Sequence, residues 1–214
     1  MFRTIKKIFF VLILAHVLFI FGGKFFNPPI TLTQLGGLME FGKLKRDYIS
    51  WDEMGTHVKK AVIASEDQAF YTHNGFDYKA IQKAMKYNEK GKTIRGGSTI
   101  SQQTAKNIFL WQGRSWFRKG LETIYTFIIE KLWSKDVILE RYLNSIEMGR
   151  GVFGVEAASQ YYFGKHAKNL TKSEAAWIAT VLPNPQKYDP KNPTPYLKRK
   201  HSWILRQMNN IRLK

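Results

Sequence analysis

The chain has no cysteine and few acids: 16 Asp and Glu stand against 34 Lys and Arg in 214 residues, a formal charge of +18. Without cysteine there are no disulfides, no cysteine–zinc sites and no thiol catalysis. Either redox compartment would accept such a chain. The shortage of acids favours anionic partners: nucleic acid, an anionic membrane surface, or a phosphorylated substrate. Several motifs are also missing. Gly91-Lys92-Thr93 looks like the end of a phosphate loop, but that pattern needs glycine at position 86, which is Lys86. No His-Glu-x-x-His occurs, and the five histidines are scattered. Neither Ser-x-x-Lys nor Lys-Thr-Gly occurs, which excludes the serine acyltransferases that carry them.

What the chain does have begins at its N-terminus. Arg3, Lys6 and Lys7 precede the run IFFVLILAHVLFIFGG at 8–23, interrupted only by His16, and Lys24 follows. A membrane span needs about 20 predominantly apolar residues. Phe25 and Phe26 extend the run if Lys24 reaches back to the interface. Basic residues on the N-terminal side predict a cytoplasmic N-terminus, with the rest of the chain outside the cytoplasm. A cleaved signal peptide is the alternative, but no small-x-small site follows the run. Nucleic acid therefore drops out as a partner, and membrane lipids enter. Residues 1–30 are assigned to a cytoplasmic stub and transmembrane anchor, and 31–214 to one further domain.

About 44% of the residues are apolar or aromatic, enough for a sizeable core. Residues 31–55 show weak periodicity and read as a connecting segment. Beyond them come capped helices. Thr56 opens one through Ser65, Asp77 the next through about Tyr87, and Ser98 a third to about Leu110. Ser115 opens a fourth, with Phe117, Leu121, Ile124, Tyr125, Ile128 and Leu132 at the helical period. Ser134 caps a fifth, and another runs from about Val152 to Tyr162. Thr171-x-x-Glu174 is a capping box, and Thr194-Pro195 opens the last helix. No alternating strands are visible. The expected class is mainly α.

Four stretches carry candidate chemistry. In IASEDQAFYTHNGFD, residues 63–77, Glu66 lies at the end of an apolar helix, where the helix dipole and apolar neighbours both disfavour a negative charge and favour a base working near neutral pH. A solvated helix-end acid is the competing reading. Asp67 is a structural neighbour, and His73 and Gly75 shape a turn. In RGGSTISQQTAKN, residues 95–107, Gly96-Gly97 before Ser98 should expose backbone N–H groups at a helix start, an anion site. Gln102, Gln103, Lys106 and Asn107 follow, with Gln103 and Lys106 on one face. An ordinary amphipathic helix is the alternative. In GRSWFRKGLE, residues 113–122, Arg114, Arg118 and Lys119 crowd together, with Glu122 four after Arg118. The cations suit a diphosphate, though a solvated charged face would look the same. In residues 135–165 most positions read as packing; Asn144 stands out as a buried polar link or a turn former. Taken together, the acids, the cations and the anchor suit sugar chemistry on a phosphorylated, membrane-held substrate.

These stretches also resemble, in order, the motifs of the bacterial peptidoglycan glycosyltransferases, specifically their monofunctional biosynthetic members. The resemblance covers roughly residues 50–190. EDQAFYTHNG is similar to Glu-Asp-x-x-Phe-x-x-His-x-Gly, and GGSTISQQTAKN to Gly-x-Ser-Thr-x-x-Gln-Gln-x-x-Lys-Asn. RKGLE is similar to Arg-Lys-x-x-Glu, and ILERYLN and GVEAASQYYFGK to the last two segments. The resemblance implies a lysozyme-like, mainly helical domain in the cytoplasmic membrane that polymerises lipid II into glycan strands. Glu66 would be the base for the acceptor 4-hydroxyl, which attacks the donor MurNAc C1 with inversion and release of undecaprenyl diphosphate. Lys106 and Arg114 would hold the donor diphosphate. Glu122, the second acid, would coordinate a metal, orient cations or support the leaving group. Ser98, Gln102, Gln103, Asn107, Arg118, Lys119 and Asn144 would shape the cleft, with Asp67, Phe70, His73 and Gly75 as structure beside it. No cofactor is obligatory in this reading, though a divalent cation, Mg2+ or Mn2+, could assist. Partners would be lipid II, the growing glycan and cell-wall synthesis or division proteins. A transpeptidase half would be absent. Two readings stay open: a lytic muramidase, which would not need the cations, and a non-catalytic module on anionic lipids, which would need neither Glu66 nor Glu122.

Overall fold

A computed structural model describes residues 2–89, 91, 96–113 and 115–213, apart from the side chains of residues 2 and 12. The fold is mainly helical, as the sequence predicts. Helix α1, Phe2–Gly22, is the apolar run. Within it Arg3–Gly22 is long and apolar enough to cross a membrane, with a mean hydropathy of 2.2 and 6% of the window buried. Its far end is tied to the rest of the chain. The Trp133 indole N–H donates to the Ile20 carbonyl at 3.1 Å, and Arg141 Nε donates to the Gly23 carbonyl at 2.8 Å.

The segment expected to be a connection contains helix α2, Leu32–Phe41. Its signal is a capping box: Thr31 accepts from the Gln34 amide, and the Gln34 side chain accepts from the Thr31 amide. Leu32, Leu35, Leu38 and Met39 are exposed, so α2 lacks the inward apolar stripe that makes a helix legible in a sequence. Strand β1, Lys45–Arg46, and a short 3-10 turn at Trp51–Met54 follow.

Helix α3, Thr56–Glu66, is preceded by Gly55 at the cap position, so Thr56 is its first residue and not its cap, while α4, Tyr78–Asn88, starts on the expected Asp77 cap. Helix α5, Ile100–Phe109, is capped by Thr99 and not Ser98, because the Thr99 hydroxyl accepts from the Gln102 amide and closes a capping box. Helices α6, Trp116–Leu132, and α7, Lys135–Ser145, carry the expected Ser115 and Ser134 caps.

The chain then forms what the sequence reading missed. Strands β2, Glu147–Gly149, and β3, Val152–Phe153, pair antiparallel, and β1 joins β3 in parallel register. These strands are too short to show alternation. Gly154, at φ +84°, then turns the chain into helix α8, Val155–Phe163, so that helix starts later than expected. A Cβ at Gly154 would lie 2.7 Å from the Asn144 carbonyl oxygen. Helices α9, Lys172–Val181, and α10, Pro195–Gln207, open on Thr171 and Thr194 as expected.

Helix α3 packs against α9 and α10, and α5 packs against α6 and α7. Val58, Ala61, Val62, Ile129, Leu139, Leu143 and Ala179 are all fully buried in one apolar core. The C-terminal end of α3 and the polar face of α5 are thereby held on rigid elements.

Candidate active site

Glu66 ends α3 and is half-buried. It lines a cavity of about 230 Å³ together with Gln68, Asp77, Gly97 and Ser98. Its setting is more polar than its apolar neighbours in sequence suggest. The Ser65 hydroxyl donates to Oε1 at 2.8 Å, and Gln103 Nε2 donates to Oε2 at 3.2 Å. Gln103 is itself oriented, because the Tyr142 hydroxyl donates to its Oε1 at 3.0 Å. Tyr142 is wholly buried in α7, and burial pushes its phenol well above the usual tyrosine value, so it stays a neutral donor. The chain tyrosine–glutamine–glutamate runs from the core to the cavity wall.

Asp67 is turned the other way. Its carboxylate is buried and accepts from His73 Nε2 at 2.9 Å and from the Ile100 amide at 3.0 Å. The Gly75 amide donates to His73 Nδ1 at 3.1 Å, which assigns the proton on this imidazole to Nε2. The Thr99 hydroxyl closes the loop by donating to the Gly75 carbonyl at 2.6 Å. Gly75 has φ +89°, and a Cβ there would lie 2.9 Å from Thr126 Cγ2 and 3.0 Å from Glu130 Cγ. Phe70 is fully buried under this turn. The four residues expected to be structural therefore form one clasp between the end of α3 and the start of α5.

That clasp revises the expected anion site. A free N–H at the start of α5 would attract a substrate phosphate. Here the Ile100 N–H already serves Asp67, and the Gln102 N–H serves Thr99. The helix start holds the protein's own carboxylate. Gly97 and Ser98 instead form an extended wall shared by two cavities: the one lined by Glu66, and one of about 270 Å³ lined by Ile81, Met85, Gln102 and Lys119. Ser98 is exposed and lines both cavities, and Thr99 is the helix cap.

The cations gather around Glu122, near the start of α6. Glu122 is 3% exposed, and both its oxygens are engaged: Arg118 Nη1 donates to Oε2 at 2.8 Å, and Lys119 Nζ contacts Oε1. Arg118 is further fixed by a 2.9 Å bond from Nε to the Gly113 carbonyl. Lys106, on α5, lies within electrostatic range of the same group. Burial holds its ammonium below the ordinary lysine value, and Arg118 and Lys119 push in the same direction while Glu122 opposes them. Two cations thus pair with one carboxylate and Lys106 adds a third charge in its field, a surplus of positive charge suited to a multivalent anion. Arg114 lies outside the described residues.

The donor set argues against a resident metal at Glu122. Its two oxygens are occupied by cationic groups, and no cluster of three His, Cys, Asp or Glu residues exists among the described residues. A Mg2+ or Mn2+ ion finds no prepared cage there.

Three other expected residues face inward. Asn144 is fully buried, and its amide is consumed by the Ile49 amide and carbonyl and by Asn27. This makes it the buried polar link, not a substrate contact. Asn107 is buried, with Nδ2 on the Gln103 carbonyl and Oδ1 accepting from Gln112. Gln102 reaches a cavity, but its side-chain carbonyl accepts from the Thr99 amide. In all three cases a polar residue beside a motif serves the backbone.

The sequence reading placed α10 but gave it no part in the site. Lys200 is half-buried on this helix, where burial pulls its ammonium below the ordinary lysine value and the Glu66 charge pushes the other way. Tyr196, one turn earlier, also lies within electrostatic range of Glu66. Neither has a local sequence signal, since the partner is on a distant helix.

Comparison with known proteins shows the family. The family described as Transglycosylase matches residues 34–209. A biosynthetic peptidoglycan transglycosylase of Mannheimia succiniciproducens is 57% identical over 171 residues, covering 80% of this chain and 70% of that protein. Proteins of the same description from Pseudomonas aeruginosa and Haemophilus influenzae are each 46% identical, over 97% and 98% of this chain and 92% and 87% of their own lengths.

Proposed function

Because the chain belongs to the transglycosylase family, whose domain is a lysozyme-like helical fold acting in peptidoglycan synthesis, we propose that it polymerises lipid II into glycan strands at a membrane surface. The observation that carries this reading is the pairing of two unlike sites along one wall. Glu66 opens to a cavity with two neutral donors behind it, Ser65 and Gln103, and a surplus of cations surrounds Glu122 next to the adjoining cavity.

In this mechanism the acceptor GlcNAc 4-hydroxyl approaches Glu66, which takes its proton as the oxygen attacks MurNAc C1 of the donor. The C1–O bond to the diphosphate breaks on the opposite face, so the configuration inverts. Both electrons of that bond leave with the undecaprenyl diphosphate. Lys106, Arg118 and Lys119 stabilise the charge that develops there, and Glu122 holds Arg118 and Lys119 in place. Diphosphate leaves without a dedicated acid, unlike the sugar alcohol of glycoside hydrolysis.

A lipid-linked substrate fits the surface. Trp116, Phe117, Ile124 and Phe127 form an exposed apolar stripe on α6, the helix that begins at the cations, and Trp116 is 92% exposed. Together with α1 and the exposed leucines of α2, this stripe would lie at the headgroup level of a bilayer. We place the N-terminus in the cytoplasm and the domain on the outer face of the cytoplasmic membrane.

The test is incubation of the purified full chain with labelled lipid II, read on a gel. Polymer is expected from the wild type, and none from Glu66→Gln at unchanged fold. Wild-type polymer from that variant, or shortening of added glycan, would overturn the reading; the second outcome is the muramidase alternative.

A further inference from the structure

A third cavity adjoins the active-site wall and has no assigned part. It measures about 520 Å³, against about 230 Å³ for the Glu66 cavity. That lies within the ordinary range of ligand pockets, about 300–1,000 Å³. Ala69, Asp77 and Ala80 line both, so the two adjoin. We propose that this cavity holds the peptide of the acceptor lipid II, with Lys79 and Lys83 pairing with its carboxylates. The inference deepens the proposed reaction and rests on Glu66 being its base.

Helix α4 places the cavity. Its Ile81, Met85 and Asn88 line the cavity beside the cations, whereas its Lys79, Ala80 and Lys83 line the third one. The Glu66 cavity lies between, sharing Gly97 and Ser98 with the first and Asp77 and Ala80 with the other. A hydroxyl that displaces a group with inversion approaches from the face opposite the leaving group. With the diphosphate held at Arg118 and Lys119, the acceptor extends from Glu66 toward the other face of α4. Lipid II, as the unit of a peptidoglycan, carries a short peptide on its MurNAc, and that peptide ends in a free carboxylate.

The lining fits such a ligand. Most of its polar groups are already used. His73 is engaged with Asp67 and the Gly75 amide, the Thr72 hydroxyl donates to the Ala69 carbonyl at 2.8 Å, and Asp77 Oδ1 accepts from the Ala80 amide at 2.9 Å. Lys79 and Lys83 differ. Both are exposed, and neither forms a salt bridge among the described residues. Four apart on one helix, their Cβ atoms are about 5–6 Å from each other, and like charges at that spacing disfavour the helix. Stability therefore does not call for the pair. Tyr78, 71% exposed, and Phe76 add aromatic surface beside them, with ring centroids 6.4 Å apart. A diphosphate is compact and suits converging, held cations such as those around Glu122. Two exposed cations spread over one helical turn beside aromatic rings suit an extended acidic peptide.

Steady-state polymerisation by the full-length chain is measured with intact lipid II and with lipid II stripped of its peptide, for the wild type and for the double variant Lys79→Gln, Lys83→Gln. On intact lipid II the variant's KM should rise roughly fivefold, as expected for two exposed ion pairs, with kcat unchanged and the melting temperature equal or higher. On the peptide-free substrate, variant and wild type should have the same KM. Lipid II capped at its 4-hydroxyl can only donate, and its inhibition constant against intact lipid II should be the same for both proteins. An unchanged KM on intact lipid II, an equal rise on the peptide-free substrate, or a weaker hold on the capped donor overturns the proposal; the second outcome assigns the lysines to phosphate or lipid. Each of these leaves Glu66 as the base. Full polymerisation by Glu66→Gln overturns the base assignment and the proposal together.

Discussion

Glu66 and Glu122 are both helical glutamates beside adjoining cavities, and the fold treats them in opposite ways. Glu66 has neutral donors behind it and open space in front. Glu122 is closed in, with an arginine on one oxygen and a lysine on the other. An acid that must accept a proton from an incoming hydroxyl needs the first arrangement. An acid that must hold cations for a departing diphosphate needs the second. The same contrast separates Glu66 from its neighbour Asp67, which is buried in a clasp with His73 and the start of α5. Chemical type does not decide the role; what already occupies the carboxylate oxygens does.

The largest expected effect tests the closed acid. Glu122→Ala removes one partner of a buried ion pair and strands the Arg118 guanidinium, whose side chain is 10% exposed. Removing one partner of a buried pair typically costs about 3–5 kcal/mol. The melting temperature should fall by several degrees and turnover should collapse. Glu66→Gln, by contrast, should leave thermal stability within about 1 kcal/mol, because Gln can keep one of the two acceptors. Calorimetry of the two variants side by side sharpens the comparison; equal destabilisation would erase it.

Next in size is the clasp. Asp67→Asn puts an amide N–H2 against the protonated Nε2 of His73, or else loses the Ile100 bond, at about 1–3 kcal/mol. Gly75→Ala should act in the same range. It places a Cβ against Thr126 and Glu130 at a φ of +89° that L-residues avoid. Both variants should unfold at lower denaturant, and both should lose activity in proportion to the unfolded fraction, not through the pH profile. A shifted pH profile with native stability would make Asp67 part of the chemistry.

Much of this was legible in the sequence. The caps at Asp77, Ser115, Ser134, Thr171 and Thr194 are local signals, and each starts the helix it should. The Asp67–His73–Gly75 turn and the Arg118–Glu122 pair are also short-range, so their neighbours in sequence are their neighbours in space. What escaped is long-range or shallow. Helix α2 keeps its apolar side chains outside, the three strands have two or three residues each, and the bonds of Asn144 reach Ile49 and Asn27 far upstream. Lys200 looks like one more cation in the basic run LKRKH; only the packing of α10 on α3 shows which part of the fold its helix lies against.

The smallest expected change in stability belongs to Lys106, and it separates the cation cluster from the structural residues. Burial lowers the ammonium of Lys106, so the folded chain binds that proton less tightly than the unfolded chain does. The penalty is in force at neutral pH. It fades as pH rises through the folded value toward the ordinary lysine range, so this residue makes the wild type relatively more stable in alkali. Lys106→Met removes the penalty, and its melting temperature at neutral pH should match or slightly exceed the wild type, with the gap closing as pH rises. Turnover of lipid II should nonetheless drop by roughly 10²-fold, the usual loss for one group that stabilises transition-state charge. A residue that weakens the fold and carries the reaction is expected where diphosphate charge must be met. Met at position 106 that destabilised the protein at neutral pH, or left turnover intact, would return Lys106 to the structural side of the comparison, with Asn107 and Asn144.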